Sequence, residues 1–361
     1  MIPRVPLEHL VEIKRFPTNL LLNPFVPLSH RPVPANDLPM LEASSTSEVT
    51  VFAPASVANV ACGYDVLGFA IDAPGDYVKV RFAEKPSLRI TAITGDGGKL
   101  PSDPSKNTAG VAALDLLNHL GKSGLGIEME IHKRMPFGSG LGSSAASAVA
   151  GAYAVNCLIG SPLSKKQLLP FAMAGEASAD GAWHADNVGP SLLGGIVFVR
   201  DNAQLDVSQL PVPENLWSAV VHPDIEILTK VAREILPTEI SLADVTTQIG
   251  NLGGLICGLI QADYGLIGRS IHDVIAEPRR QKLIPEFYQA KQAALAAGAL
   301  GFSISGAGPS VFALTEGPET AKAAGEAISK VFSNSDLSNQ IHLSAINQTG
   351  VTVVDKIPEI S

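Results

Sequence analysis

The chain reads as an α+β protein of two domains, and three observations predict this. At 361 residues it is long enough for two cores, and 46% of those residues are hydrophobic, so order is the default. Segments with the period of strands and segments with the period of helices are interleaved along it. They do not alternate in clean βαβ order, which favours α+β over a doubly wound sheet. Glycine is abundant (33) and aromatics are few (5%), the composition of tight helix–sheet packing and glycine-rich loops.

The first strand signal is Glu48–Ala53. In Tyr77–Phe82, Val78, Val80 and Phe82 alternate with Lys79 and Arg81, the pattern of a half-buried strand, and Leu88–Ile93 follows. Asn107 can cap a helix that carries Val111, Leu114 and Leu117 on one side. Gly126–His132 alternates again, and a glycine-rich turn then enters a small-residue helix from Ser143 to about Leu158. Ser164 and Gln167 form a capping box for a helix with Leu168, Phe171 and Met173, and Gly194–Val199 reads as a strand. The polar, proline-bearing stretch Asp201–Pro213 marks a connection and the boundary between domains at 47–205 and 206–361. Beyond it are expected a strand (Trp217–His222), helices around Ile225–Ile235 and Ser241–Ala262, and a helix ending at Gly298. Strands Gly301–Ser305 and Ser310–Thr315, a helix Glu319–Phe332, and strands near Ile341–Asn347 and Val351–Asp355 complete the chain. Residues 1–46 differ in character. Proline recurs between Pro17 and Pro39 with no sustained period, so this stretch reads as an irregular tail, with Met40 as an alternative start.

The net charge of −9 argues against a nucleic-acid binder, which needs a basic face to displace counterions. Cys62, Cys157 and Cys257 are too far apart for a CxxC metal site and too few for a disulfide framework. No run of about 18 uninterrupted apolar residues suggests a spanning helix. A cytoplasmic protein is expected.

The sharpest segment is Met135–Ala146, Met-Pro-Phe-Gly-Ser-Gly-Leu-Gly-Ser-Ser-Ala-Ala. It follows a strand and opens a helix. Gly138, Gly140 and Gly142 remove side chains that would keep a ligand from the backbone, so successive N–H groups can face a polyphosphate at the positive helix end. Ser143 and Ser144 stand where a hydroxyl can cap the helix or reach a phosphate or Mg²⁺. The segment has no Gly-Lys-Ser/Thr ending and is not a dinucleotide fingerprint. Spacing alone leaves two readings open, a phosphate cradle or an ordinary glycine turn with Ser143 as N-cap.

Pro136–Ala146 resembles the phosphate loop of the GHMP superfamily of small-molecule kinases, which act on galactose, homoserine, mevalonate and phosphomevalonate. Two further landmarks of that superfamily occur in order. Pro54–Asp65 is similar to the N-terminal one, and Ser305-Gly-Ala-Gly-Pro-Ser310 is similar to the C-terminal glycine loop. Within the superfamily the details resemble the homoserine kinases. Ala53–Ile71 is similar to their substrate-side segment, usually Asn-Leu-Gly-Pro-Gly-Phe-Asp, and departs from it at Val60, Ala61, Cys62 and Tyr64. His184-Ala-Asp-Asn187 resembles their His-x-Asp-Asn element, and Pro223–Pro237 and Ile275–Pro285 resemble their two arginine-bearing segments.

The resemblance implies a two-domain GHMP kinase fold, with a ribosomal-protein-S5-domain-2-like N-terminal ATP domain and a ferredoxin-like C-terminal domain. It implies ATP held by Asn107 and by Pro136, Gly138, Ser139, Gly140, Leu141, Gly142, Ser143, Ser144, Ala145 and Ala146. It places Ser305, Gly306, Ala307 and Gly308 in the C-terminal glycine loop. Ser144 and Glu176 are the implied Mg²⁺ ligands, consistent with a hard cation that takes few protein oxygens when it bridges phosphates. L-Homoserine is the implied acceptor. Its α-carboxylate falls to Arg233 and Arg280, whose planar guanidinium forks suit bidentate pairing, and its ammonium to Asp65. Asn59, His184 and Asn187 complete the pocket, and a homodimer is implied.

Phosphoryl transfer asks mainly for alignment and charge neutralisation. Asn187 stands where mevalonate-type relatives place an aspartate, and an amide cannot take up a proton as a base does. In-line attack without a dedicated strong base is therefore expected, with Asp186 the neighbouring carboxylate to watch. Another GHMP kinase acting on mevalonate, shikimate or a sugar is the near alternative, and a catalytically dead ligand sensor the distant one. The retained Ser144 and Glu176 argue against the sensor.

Overall fold

A computed structural model describes residues 47–181 and 183–358, so the tail expected over residues 1–46 lies outside the described residues. The first sheet is built on two long strands, β1 (Glu48–Ala58) and β2 (Leu67–Phe82), paired antiparallel. β3 (Leu88–Thr94) and β4 (Ile127–His132) extend it, β4 antiparallel to β2 and β3 parallel to β4. In β4 the alternation expected from Ile127, Met129 and Ile131 is present, with all three buried.

Four helices belong with this sheet: α1 (Thr108–His119), α2 (Ser143–Leu158), α3 (Lys165–Asp180) and α4 (Ala185–Leu193). α2 packs against β1 and β2 and also against α1 and α3. It is buried on every side, which explains its run of Ala, Ser and Gly: no polar face is needed and bulk would not fit. The capping box of Ser164 and Gln167 opens α3 as expected.

β5 (Ile196–Asp201) pairs with the start of β2, and β6 (Asp206–Leu210) pairs with β5. The stretch expected as a polar connection over 201–213 therefore contains a strand. Val207 and the half-buried Leu210 lean on a core while Asp206, Ser208 and Gln209 are exposed, so no alternation marks the strand beside Pro211 and Pro213.

The second sheet has β7 (Leu216–Pro223) and β9 (Val311–Glu316) at its centre, flanked by β10 (Asn339–Ala345) and β8 (Gly301–Ile304), all antiparallel. α9 (Phe287–Ala296) and α10 (Pro318–Asn334) cover it. Ala321, Ala324, Ile328 and Phe332 form the buried stripe of α10, and Phe287 packs on Phe302 with ring centroids 5.3 Å apart. Between β7 and α9 lie α5 (Thr229–Glu234), α6 (Leu242–Gln261), α7 (Tyr264–Ser270) and α8 (Glu277–Arg280). The helix expected around Ile225–Ile235 is confined to α5. Its first residues are held irregular because Ile227 N–H donates across to Gly138 O at 3.4 Å. The last strand, β11 (Thr352–Val353), returns to β1, so the first sheet draws strands from both sides of residue 206. No described helix is long and apolar enough to cross a membrane.

Candidate active site

The turn after β4 and the start of α2 form one wall of a cleft of about 310 Å³. Gly138, Gly140 and Gly142 all adopt positive φ, at 59°, 76° and 69°. At Gly140 a Cβ would lie 2.3 Å from Ser305 O, and at Gly142 2.3 Å from Ser56 Oγ, so at both positions space as well as conformation demands glycine. The C-terminal loop Ser305–Ser310 closes on the turn: Ser305 Oγ donates to Gly140 O at 2.6 Å, and Ser310 N–H donates to Ser139 O at 3.1 Å.

Gly142 caps α2 without a side chain, so the first-turn N–H groups have no side-chain acceptor there. The hydroxyls of Ser139 and Ser143 are buried on the same wall with no hydrogen-bond partner among the described residues. Backbone donors, a helix dipole and orphaned hydroxyls in one concavity fit an anion of several oxygens. A plain glycine turn capped by Ser143, the other reading open in the sequence, does not account for them. Ser144 Oγ on α2 donates to Glu176 Oε1 on α3 at 2.9 Å, and both residues line the cleft. A hydroxyl and a carboxylate beside a polyphosphate cradle are the oxygen donors that Mg²⁺ takes, so the pair fits that ion.

The far end of the cleft is built on a strained loop. Asn59, Val60, Ala61 and Asp65 all have φ between 37° and 69°, a region non-glycine residues rarely enter. Asn59 holds it there. Its N–H donates to Asp186 Oδ2 (3.3 Å), its Oδ1 accepts from Asp65 N–H (2.9 Å), and its Nδ2 donates to Gly306 O (2.7 Å). Asp65 meets Arg233 Nη1 at 3.1 Å and His184 Nε2 at 3.3 Å. Arg280 is 4% exposed and is held by Nε to Ala232 O (2.9 Å) and Nη1 to Gly306 O (3.0 Å). Asn187 stands between the two ends, its Oδ1 accepting from Ser56 Oγ at 2.9 Å beside Gly142.

Gly138, Ser139, Gly140, Gly142, Ser143, Ser144, Glu176, Asn59, Asp65, His184, Asn187, Arg233, Arg280, Gly306, Ala307 and Gly308 all line the cleft. Leu141, Ala145 and Ala146 are core residues behind it, Pro136 lies outside its wall, and Ser305 serves as the clasp. Asn107 uses both ends of its amide on the α1 cap, with Oδ1 accepting from Ala109 N–H and Nδ2 donating to Pro101 O, while its neighbour Thr108 lines the cleft.

Sequence reasoning missed one feature, a buried ion pair beneath the cradle. Lys133 and Asp76 are 2% and 0% exposed in their side chains and bond each other directly. Lys133 Nζ also donates to Ser143 O (2.9 Å) and Ser147 Oγ (2.7 Å), and Asp76 Oδ1 accepts from Arg134 N–H (2.8 Å). The pair ties β2 and β4 to the first turn of α2. Its one signal in the sequence is a lysine following an alternating strand, three residues before Pro136.

Asp186 is buried, and its carboxyl is pushed up to about 7, first by burial and then by the charge of Asp65. Between the ordinary carboxylate value, near 3.8, and 7 the folded chain holds a proton here that the unfolded chain has lost. Stability from this site therefore falls as pH rises through that window. Asp186→Asn keeps an oxygen for Asn59 N–H and is expected to be more stable than the parent at pH 8, by on the order of 3 kcal/mol, but not at pH 4. Thermal unfolding at the two pH values checks this, and an unchanged pH slope refutes it.

A two-sheet α+β chain with a glycine cradle clasped by a second glycine loop over a Ser–Glu pair defines a GHMP kinase. The family of GHMP kinases N terminal domain matches residues 107–195, and that of GHMP kinases C terminal matches residues 256–334. A homoserine kinase of Chlorobium phaeovibrioides is 48% identical over 314 residues, 84% of this chain and 98% of its own. One from Xanthomonas campestris is 43% identical over 326 residues, 90% and 98% of the two chains. The crystal structure of homoserine kinase from Cytophaga hutchinsonii superposes with a TM-score of 0.85 at 52% identity, covering 87% of this chain and all of that one. The chain belongs to the homoserine kinase family and is an ATP-dependent phosphotransferase with an alcohol acceptor.

Proposed function

We propose that the chain transfers the terminal phosphoryl group of Mg·ATP to the side-chain hydroxyl of L-homoserine, giving O-phospho-L-homoserine for threonine biosynthesis in the cytoplasm. The observation that carries this reading is the pairing, in one cleft, of a phosphate cradle with an Asp65–Arg233–Arg280 group. An α-amino acid carries its ammonium and carboxylate on one carbon, so an aspartate and an arginine 3.1 Å apart match both charges at once. Mevalonate, shikimate and galactose have no ammonium for Asp65.

The division of labour follows the wall of the cleft. The turn from Gly138 to Ser144 and the N-terminus of α2 hold the phosphates, within the N-terminal part, residues 47–205. Arg233 and Arg280, from residues 206–361, grip the carboxylate. Ser144 and Glu176 would hold Mg²⁺, which would supply charge neutralisation at the phosphates. The acceptor oxygen bonds to the γ-phosphorus as the bridging bond to the β-phosphate breaks and ADP leaves. Asn187, its Oδ1 already accepting from Ser56, orients the acceptor and takes no proton; the hydroxyl proton leaves to the phosphoryl oxygens or water.

A coupled assay of ADP release with L-homoserine, L-serine, L-threonine, mevalonate, shikimate and galactose tests the acceptor. Preference for L-homoserine is expected, and preference for mevalonate or galactose would sink the assignment. Glu176→Gln is expected to lower kcat by ~10- to 100-fold and to raise the Mg²⁺ concentration at half-maximal rate, with the fold intact. An unchanged Mg²⁺ titration removes Glu176 from the site.

The homodimer is also part of this reading. α6 exposes Leu242, Ile249 and Ile260 (81%, 65% and 59%), and Asp244 is its sole charged residue. These positions are symmetric about Asn251, with Gly253 opposite Ile249, so two copies of α6 packed antiparallel would bring Leu242 of one against Ile260 of the other. Light scattering of the purified chain tests the pairing.

A further inference from the structure

Tyr64 lies behind the two arginines. It is half-buried and lines a small cavity that shares Arg280, Asn59 and Gly306 with the main cleft, on whose own wall Tyr64 is absent. Its hydroxyl oxygen accepts from Arg233 Nη1 at 3.0 Å and from Arg280 Nη2 at 3.5 Å. Both guanidiniums also sit near its ring, at 5.9 Å and 5.1 Å from the centroid. Two like charges are thus gathered on one aromatic side chain, through an oxygen they share and a ring whose face attracts cations.

The two arginines are not equally fixed. Arg280 is buried and tied to two carbonyls, of Ala232 and Gly306. Arg233 is more exposed, and its other strong partner is Asp65, which already meets Nη1 at 3.1 Å and Nη2 at 3.4 Å. Arg233 thus already sits on Asp65 as a two-pronged pair, and His184 Nδ1 lies 3.4 Å from Nη2. What that pair leaves unset is the distance of Arg233 from Arg280, the second donor to the same carboxylate. The phenol oxygen competes for Nη1 and links Arg233 to the fixed Arg280. Tyr64 is itself well placed to do so. The adjacent Asp65 is pinned through Asn59, and a ring with two rotatable bonds sets the oxygen at a defined height.

We propose that Tyr64 is a specificity-determining positioning residue, whose hydroxyl holds Arg233 beside Arg280 so that both face one carboxylate of the acceptor. The proposal rests on the amino-acid acceptor assigned above. It acts on the carboxylate alone: the acceptor hydroxyl, the ammonium site and the nucleotide cradle are outside its reach.

The test is Tyr64→Phe in the full chain, which removes one oxygen and keeps the ring. L-Homoserine is compared with 3-aminopropan-1-ol, which has the same hydroxyl and ammonium without the carboxylate. The latter is measured as acceptor or, if not turned over, as a competitive inhibitor. The KM for L-homoserine is expected to rise roughly 5- to 30-fold, with kcat within about twofold and the KM for ATP unchanged. The constant for 3-aminopropan-1-ol should not move, so discrimination between the two shrinks by the factor lost. In an Arg233→Ala background the same substitution should change the KM by less than about twofold, because the residue through which it acts is gone. Equal losses for both compounds, an unchanged KM, or a full effect without Arg233 would each overturn the proposal. Failure of the parent chain to phosphorylate L-homoserine would instead overturn the acceptor assignment, and this inference with it.

Discussion

Arg280→Ala is expected to lower kcat/KM for L-homoserine by roughly 30- to 1000-fold while leaving ATP affinity, measured without acceptor, nearly unchanged. Removing a charge-assisted pair to a desolvated carboxylate costs on the order of 2–4 kcal/mol, which sets that range. Arg280 is 4% exposed and lines the cleft, whereas its neighbour Arg279 turns its Nη1 back to Ile275 O at 3.4 Å and lies outside the cleft wall. Arg279→Ala is therefore the control and should change kcat/KM by less than about threefold. Because Arg280 also donates to Ala232 O and Gly306 O, its alanine variant must be shown to be folded. Arg280→Lys supplies the second arm: it keeps the charge, loses the fork, and should recover only part of the activity. If Arg279→Ala is the damaging change and Arg280→Ala the silent one, the clamp is misassigned by one residue. If both are silent, no carboxylate is gripped here.

Asp76→Ala is expected to destabilise the fold by about 3–5 kcal/mol, because it leaves the ammonium of Lys133 buried without its counter-charge. The change also removes the acceptor for Arg134 N–H. Denaturant unfolding midpoints measure it. The double variant Asp76→Ala with Lys133→Met should recover a substantial part of the loss, since no charge then remains to be solvated. The double variant should nevertheless show a raised KM for ATP, because Lys133 no longer ties the Ser143 carbonyl and the first turn of α2 to the sheet. A single variant as stable as the parent would mean that water reaches Lys133 and that the pair is not a support of the cradle.

The candidate site was largely legible in the sequence because its main chemistry is written in contiguous runs. Three glycines and three serines from Gly138 to Ser144 state a backbone that can turn with positive φ and then start a helix, and the helix forms where the small residues begin. The alternation in Ile127–His132, the capping box at Ser164 and the helix over Glu319–Phe332 are likewise local patterns, and each is present. Local patterns also misled where a tertiary contact outweighed them. Ile225–Leu228 has helical composition, but Ile227 N–H is taken by Gly138 O of the phosphate turn, and only Thr229–Glu234 is helical. Asp206–Leu210 has the composition of a loop but pairs with β5.

What the sequence by itself determined is the α+β class, the cradle, and the side chains available at each end of the cleft. Residue type, periodicity and spacing are local quantities and suffice for the class and for a glycine turn that opens a helix, while the cradle reading and the roles of the cleft side chains came from the resemblance to GHMP kinases. The tertiary structure alone decided which of those side chains face one another. Asp76 and Lys133 are 57 residues apart, Tyr64 and Arg280 are 216 apart, and Asn59 and Gly306 are 247 apart. Nothing in either member of such a pair announces its partner, because burial and pairing are set by how the two sheets and their helices close around the cleft. That closure made Asn59 the pin of a strained loop and gave the cradle a buried support.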